Sequence, residues 1–118
     1  MASSLLSSMK DFFVSMYDED NPAKTLRMYD IREGKRFGRV QFQWDKENAC
    51  LIIKHIFLTP FGGIHNKYVV DKTSKEMLWM YPTLEAIIVE NPKTVFALKY
   101  QSFGWNFNFL TNELYLQH

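Results

Sequence analysis

The chain has 118 residues, 47% of them hydrophobic, and a formal charge of +1, which suits one globular domain and gives no field strong enough to gather polyanions. A domain of this size buries about two-thirds of its unfolded surface, so it needs no disulfide or metal ion to fold. Composition therefore predicts a single domain over residues 1–118 and argues against strong electrostatic binding of nucleic acid.

The single cysteine and the first ten residues bear on the cellular compartment. Cys50 has no partner for an intramolecular disulfide, which is consistent with a reducing environment. Residues 1–10 lack the basic start and the long apolar run of a secretory signal, and no apolar run approaches the 18 or so residues that span a bilayer. We therefore expect an intracellular protein, cytoplasmic or nuclear, with no membrane span.

The first predicted element is an amphipathic helix over residues 4–17. Its apolar side chains recur at helical spacing and form one stripe: Leu5, Met9, Phe12, Phe13 and Met16. The acidic run at residues 18–20 opposes the helix dipole at its carboxyl end, which favours termination there.

Residues 23–32 have two interpretations. Asn21 followed by Pro22 is typical of a helix start, and Gly34 is typical of a helix end. The same segment could instead form a strand that pairs with residues 36–44 through a turn. We favour a second helix, because good helix formers dominate the segment, and the strand stays open as the alternative.

From Arg36 onward, short apolar and aromatic runs alternate with turn sequences, which predicts consecutive antiparallel hairpins. Residues 50–58 are apolar on both faces except for Lys54 and His55, and are expected to form the central strand. The predicted strands cover residues 37–44, 50–58, 67–70, 77–81, 86–89, 94–100 and 105–110. The expected fold class is thus α+β and mostly β. A helical segment over residues 1–33 is expected to pack on a seven- to eight-stranded antiparallel meander over residues 36–117. We expect this sheet to be strongly curved or closed as a partial barrel.

Few ionisable side chains are arranged for catalysis or metal binding. His65 with Asp71 or Glu85 is the one acid/base pair that the sequence offers, and His55 lies in the most apolar predicted strand. None of the Cys and His residues falls at metal-ligand spacing, and the glycine pair at 62–63 belongs to no phosphate-binding signature. We therefore expect no catalytic, metal or cofactor site, and a protein that is not an enzyme.

Aromatic residues make up 16% of the chain, more than one small core is expected to cover. The excess predicts an exposed face for a protein partner or for self-association. We expect this face to include Phe61 at a loop tip, together with Trp105, Asn106, Phe107 and Asn108. The favoured function is a non-enzymatic interaction or assembly module that is oligomeric.

Three alternatives stay open. The curved sheet could enclose a pocket for a small apolar ligand or lipid. A single-stranded nucleic acid could bind the chain's only basic cluster and the rings beside it, with contacts from Lys35, Arg36, Arg39 and Lys46. An enzyme that uses His65 and a carboxylate ranks last.

Overall fold

The computed structural model describes residues 4–20, 25–33, 36–58 and 63–118, which form three helices and one six-stranded sheet. The helices are α1 (Ser4–Met16), α2 (Gly63–Met80) and α3 (Thr94–Ser102). The strands are β1 (Leu26–Glu33), β2 (Arg36–Asp45), β3 (Cys50–Leu58), β4 (Ala86–Glu90), β5 (Asn106–Asn108) and β6 (Glu113–Gln117).

Helix α1 confirms the predicted amphipathic helix. The five side chains of the predicted stripe are all buried. The Phe12 ring lies 5.6 Å from the ring of Phe42, and the Phe13 ring lies 5.0 Å from that of Trp44. Since Phe42 and Trp44 belong to β2, α1 covers one face of the sheet; we call this the helix face.

Strand β1 replaces the second helix that we favoured, so that prediction was wrong and the strand alternative was right. β1 pairs antiparallel with β2 from Leu26 opposite Gln43 to Glu33 opposite Arg36. Ile31 is buried and Met28 is exposed, as expected for a strand with one covered face. Pairing with β2 outweighs the weak helix propensity of these residues. Residues 23 and 24 of the predicted helix lie outside the described part of the chain.

Strand β3 is the central strand, as predicted, but its neighbour β4 lies parallel to it. The pairs run from Cys50 opposite Ala86 to Ile53 opposite Val89. Parallel strands need a crossover of a dozen or more residues, usually a helix. Helix α2 is that crossover, so the two strands predicted at residues 67–70 and 77–81 do not exist.

The buried side of α2 explains the error. Its buried positions follow helical spacing and include two small polar residues: Val70, Thr73, Ser74, Met77 and Leu78. Because Thr73 and Ser74 stand within the sequence Asp-Lys-Thr-Ser-Lys-Glu, which resembles a turn, the helical stripe was divided into two apparent strands.

Helix α3 replaces the strand predicted at residues 94–100. Ala97 and Tyr100 are buried, whereas Val95 and Leu98 are exposed. A spacing of three between buried positions is helical and does not fit the alternation of a strand.

The strands form an open, mixed sheet in the order β1-β2-β3-β4-β6-β5, in which only β3 and β4 are parallel among the described strands. The predicted antiparallel meander and partial barrel are therefore wrong. Buried residues from the three helices and from β1, β2, β3, β4 and β6 contribute to one apolar cluster on the helix face. None of the described helices is both long and apolar enough to cross a membrane.

Candidate active site at the carboxyl ends of the parallel strands

Strands β3 and β4 lie side by side for only four residue pairs, the last of which is Ile53 with Val89. β3 then continues to Leu58 while paired with β2, whereas β4 ends at Glu90. Within the described residues, the register therefore gives residues 54–58 of β3 no partner on the β4 side. We call this gap, between residues 54–58 and the end of β4, the strand opening.

A β-bulge in β3 lies where the strand opening begins. Gln41 of β2 is opposite His55, but the next residue, Phe42, is opposite Ile53, so Lys54 is the extra residue. A bulge bends its strand and increases the local twist. Such a bend accounts for the divergence of β3 from β4 beyond this point.

An ion pair joins the two strands at the strand opening. Nζ of Lys54 lies 2.6 Å from Oε2 of Glu90, and the two side chains are only 29% and 22% exposed. Partial burial reduces the screening of this pair by solvent and salt. Glu113 of β6 lies opposite Glu90, so a second carboxylate stands on the same face beside the pair.

Both helices that follow the parallel strands begin at this edge of the sheet. α2 follows β3 and begins at Gly63, and α3 follows β4 and begins at Thr94. The first N–H groups of a helix carry partial positive charge and bind anions such as phosphate. Neither helix has an acidic residue in its first turn that would repel an anion. In open α/β sheets, ligands bind outside the carboxyl ends of the parallel strands.

Two asparagines fix the point at which β4 ends. Asn91 and Asn112 have φ angles of 49° and 53°, in the left-handed region that asparagine tolerates better than most residues. The backbone N–H of Asn91 donates to the carbonyl oxygen of Asn112 at 2.9 Å, and Nδ2 of Asn112 donates to Oδ1 of Asn91 at 3.3 Å. These two hydrogen bonds hold one wall of the strand opening.

A polar cluster around Asp71 fixes α2 against α3 and the residues before β5. Nε1 of Trp105 donates to Oδ1 of Asp71 at 2.8 Å, and Nζ of Lys75 lies 3.0 Å from the same oxygen. Lys75 also donates to the carbonyl oxygen of Phe103 at 3.1 Å, while the Asp71 backbone N–H donates to the Tyr100 hydroxyl at 3.1 Å. Burial raises the pKa of the Tyr100 phenol, so this hydroxyl stays neutral. We call these five residues the Asp71 cluster.

The residues predicted to bind a partner occupy different environments. Trp105 is buried and belongs to the Asp71 cluster, whereas Phe107 is half-buried. Asn106 and Asn108 are exposed on β5. Phe61 lies outside the described residues.

Those residues predicted to contact nucleic acid that the structure describes are spread along β2 and the turn after it. Arg39 is exposed and forms an ion pair with Asp30, with 3.1 Å between Nε and Oδ1. Lys46 is exposed in the turn after β2, whereas Arg36 begins that strand at its other end. Lys35 lies outside the described residues.

The residues of the candidate acid/base pairs lie at different positions along the fold. His65 lies near the start of α2, beside the carboxyl ends of the parallel strands. Glu85 lies at the amino ends of the parallel strands, where its backbone N–H donates to the carbonyl oxygen of Ala49 at 2.9 Å. The carboxylate of Asp71 is bonded to Trp105 and Lys75. Neither Lys54 nor Glu90 was predicted from the sequence to be functional, although Lys54 and His55 interrupt an otherwise apolar run.

Comparison with known proteins gives a likeness of fold. No protein-family model and no curated protein matches the sequence. A Bacillus subtilis acetyltransferase in complex with CoA matches with a TM-score of 0.56 and 12% identity, over 98% of this chain and 86% of that one. Mutant forms of the spermidine/spermine N-acetyltransferase from Vibrio cholerae match with a TM-score of 0.53 and 14% identity, over 94% and 75%. A DNA-bound complex of the proteins AtaT and AtaR matches with a TM-score of 0.56 and 14% identity, over 93% and 79%.

These matches define the class of the structure: an acetyltransferase-like fold of the GNAT type, with an open mixed sheet. The prediction of a non-enzymatic interaction module is wrong, because the solved structures that share this fold include an acetyltransferase in complex with CoA. The alternatives of an apolar-ligand carrier inside a curved sheet and of a single-strand nucleic-acid binder are set aside with it.

Proposed function

We propose that the protein is an acetyltransferase that uses acetyl-CoA as donor and an amine as acceptor. The observation that carries the proposal is the strand opening, which lies at the carboxyl ends of the parallel strands with two helix starts beside it. The likeness to an acetyltransferase in complex with CoA and to a spermidine/spermine N-acetyltransferase supports this reading.

The chemistry of the strand opening fits CoA. The pantetheine arm of CoA is extended and contains amide groups, which can hydrogen-bond to the backbone of residues 54–58 as an added strand would. The diphosphate of CoA is an anion, and the start of α2 is the nearest feature along the chain that suits it. When bound there, acetyl-CoA would supply an acetyl group activated as a thioester.

Glu90 is the side chain that we expect to act on the acceptor. An amine is mostly protonated at neutral pH and must lose a proton before it can attack a thioester. The Glu90 carboxylate lies at the strand opening and is partly exposed, so it can bind the ammonium form and accept its proton directly or through a water molecule. The ion pair with Lys54 fixes the position of this carboxylate.

Two measurements test the proposal. Calorimetric titration with acetyl-CoA is expected to show one binding site per chain, and a thiol-release assay with a panel of amines is expected to show turnover. Glu90→Gln keeps the shape of the side chain but removes the base, so we expect turnover to fall by about 10²- to 10⁴-fold with little change in acetyl-CoA affinity.

The matched control is Asp30→Asn, which breaks the exposed ion pair with Arg39 between β1 and β2. Its turnover is expected to equal that of the unmodified protein. Absence of acetyl-CoA binding would refute the proposed donor, whereas binding with equal turnover in the Glu90 and Asp30 variants would refute the role of Glu90 alone.

We also infer that the protein works inside the cell, where acetyl-CoA is available, and that it associates with itself or with another protein. The free, buried thiol of Cys50 is consistent with a reducing compartment. The exposed residues of β5 and the apolar side chains near them support an association surface.

A further inference from the structure

Four exposed apolar side chains lie together beside the outer strand β5. Val95 and Leu98 of α3 are 70% and 63% exposed, and Phe109 and Leu110, in the turn between β5 and β6, are 80% and 97% exposed. Leu98 and Phe109 line the same groove between α3 and β5, and Val95 precedes Leu98 by one helical turn. We call these four residues the apolar patch. Contiguous exposed apolar side chains on a small protein are typical of a binding surface.

Hydrogen bonds hold the turn that carries Phe109 and Leu110. Oδ1 of Asn108 accepts the backbone N–H groups of Leu110 at 3.0 Å and of Thr111 at 3.4 Å. At the end of the turn, the carbonyl oxygen of Asn112 accepts an N–H from the residue that follows β4, at 2.9 Å. Because these contacts fix the backbone of the turn, the exposure of its two apolar side chains is a property of the fold.

The charged residues around the apolar patch are basic. Residues 91–112, which contain the whole patch, include two lysines and neither Asp nor Glu. Both lysines, Lys93 and Lys99, are exposed. The half-buried carboxylates that flank this segment, Glu90 and Glu113, lie on the opposite side of the sheet from the helix face, because their neighbours along the strands are buried there, and Glu90 is already in an ion pair. The patch therefore suits a partner that is both apolar and negatively charged.

We propose that the apolar patch binds the surface of a membrane that contains anionic lipids. Phe109 and Leu110 enter the boundary between the headgroups and the acyl chains, as the apolar side chains of surface-bound proteins do. Lys93 and Lys99 lay their methylene groups along the apolar surface and keep their ammonium groups at the anionic headgroups. The inference concerns where the protein works and goes beyond the proposed acetyl transfer, on which it does not depend.

The shape of this surface favours a bilayer over a segment of another protein. A helix docks in a groove that holds several of its turns, whereas the groove beside α3 has a volume of about 300 Å³, less than one turn of a helix about 10 Å across. A strand needs an edge to pair with, and β5 has only three residues. The Leu110 side chain is almost wholly exposed and does not line the groove, so it projects from the protein as a membrane-inserting side chain must.

Co-sedimentation of the full chain with lipid vesicles tests the proposal. We expect binding to phosphatidylcholine vesicles with about one-third phosphatidylserine, and binding at least about tenfold weaker to pure phosphatidylcholine, because each lysine contributes about fivefold. The double variants Leu98→Ser with Leu110→Ser and Lys93→Glu with Lys99→Glu should each bind the anionic vesicles at least about tenfold more weakly. All four side chains are exposed, so circular dichroism should show an unchanged fold. The matched control is Trp79→Ser, which removes an exposed ring from α2 and should bind as the unmodified protein does.

Tryptophan fluorescence locates the contact with the vesicle. Trp44 and Trp105 are buried, and Trp79 lies near the end of α2 that leads into β4, whereas the turn of the apolar patch lies where β4 ends. The emission of the unmodified protein should therefore not shift when vesicles are added. The variant Leu110→Trp, made together with Trp79→Phe, places a ring at the turn, and its emission should move to shorter wavelength with the anionic vesicles alone.

Several results would overturn the proposal. They are absence of binding to the anionic vesicles, equal binding to vesicles without phosphatidylserine, binding that either double variant retains, and binding that Trp79→Ser abolishes. A complex with another protein or with a second copy, dissociated by the changes at Leu98 and Leu110 while vesicles fail to bind, would show that a protein covers the apolar patch and would also overturn it.

Discussion

Two regions of the molecule are held together by different interactions. Under α1, aromatic rings pack closely without a hydrogen bond between them. We call this group the ring cluster; its members are Phe12, Phe13, Tyr29, Phe42 and Trp44. Its rings meet at centroid distances of 5.0 to 6.2 Å, and two of these four contacts are edge to face. Such packing stabilises by the apolar area that it removes from water.

The Asp71 cluster, at the other end of the helix layer, depends on directional hydrogen bonds. Its carboxylate accepts from an indole and an ammonium group, and these bonds hold α2 to α3. The strand opening lies where β3, which stays paired with β2, separates from β4. Apolar packing of α1 on β2 therefore supports the β2–β3 side of the sheet, and hydrogen bonds hold together the two helices that begin at the strand opening.

Removing a ring from the ring cluster should have the largest effect on stability. Phe12 is fully buried and contacts the rings of Tyr29 and Phe42. Phe12→Ala should lower the free energy of unfolding by about 3–5 kcal/mol, because it creates a cavity as well as losing buried area. Urea denaturation followed by circular dichroism measures this change. The control Val14→Ala alters an exposed position of the same helix and should cost less than about 1 kcal/mol; equal losses in the two variants would show that Phe12 is not part of a close-packed core.

Loss of the Asp71 carboxylate should have an intermediate effect. Asp71→Ala leaves the Nε1 of Trp105 and the Nζ of Lys75 without this acceptor, which should cost about 1–3 kcal/mol. Asp71→Asn keeps an oxygen for Trp105, so its loss should be smaller. Thermal unfolding compares both variants with Lys72→Ala, an exposed position of α2. If Asp71→Ala unfolds at the same temperature as Lys72→Ala, hydrogen bonds do not hold this region together.

The contrast between the regions also explains which parts of the fold could be predicted. In the ring cluster the apolar positions have a clear period, so the α1 stripe, the β2 alternation and the bounds of β3 could be inferred from sequence. In α2 the buried positions Thr73 and Ser74 are small and polar, so the helical period was hidden. The parallel pairing of β4 with β3 depends on the crossover helix α2. Because this helix was not predicted, every later connection between strands was predicted to be antiparallel.

The candidate site was missed for a related reason. The strand opening is defined by how far β3 extends beyond β4, and that difference arises from the pairing of distant segments and the bulge at Lys54. No local sequence pattern indicates how far β3 extends beyond β4. Glu90, in turn, belongs to a sequence of turn-forming residues, where a carboxylate is ordinarily a solvated charge, and only the approach of Lys54 to 2.6 Å distinguishes it.

The smallest predicted effect depends on pH and isolates one hydrogen bond of the Asp71 cluster. Burial is the main cause that raises the pKa of Tyr100 above its usual value of 10, and the nearby Asp71 charge adds to the rise. The phenol therefore stays neutral in the folded chain at pH values where it ionises in the unfolded chain. Below pH 10 both states are neutral and Tyr100 gives no pH dependence, whereas above pH 10 the unfolded state binds fewer protons and stability falls.

Tyr100→Phe should therefore cost about 1 kcal/mol at pH 8, where the Asp71 N–H loses its acceptor. By pH 11 the contribution of Tyr100 should have declined by about 1.4 kcal/mol in total, so the variant should become as stable as the unmodified protein or more so. Urea denaturation at pH 8, 10 and 11 gives the difference, and the half-buried Tyr115, replaced by Phe, is the control. A constant difference across this range would mean that the Tyr100 phenol ionises as easily in the folded chain as in the unfolded one, and that water reaches the contact between α2 and α3.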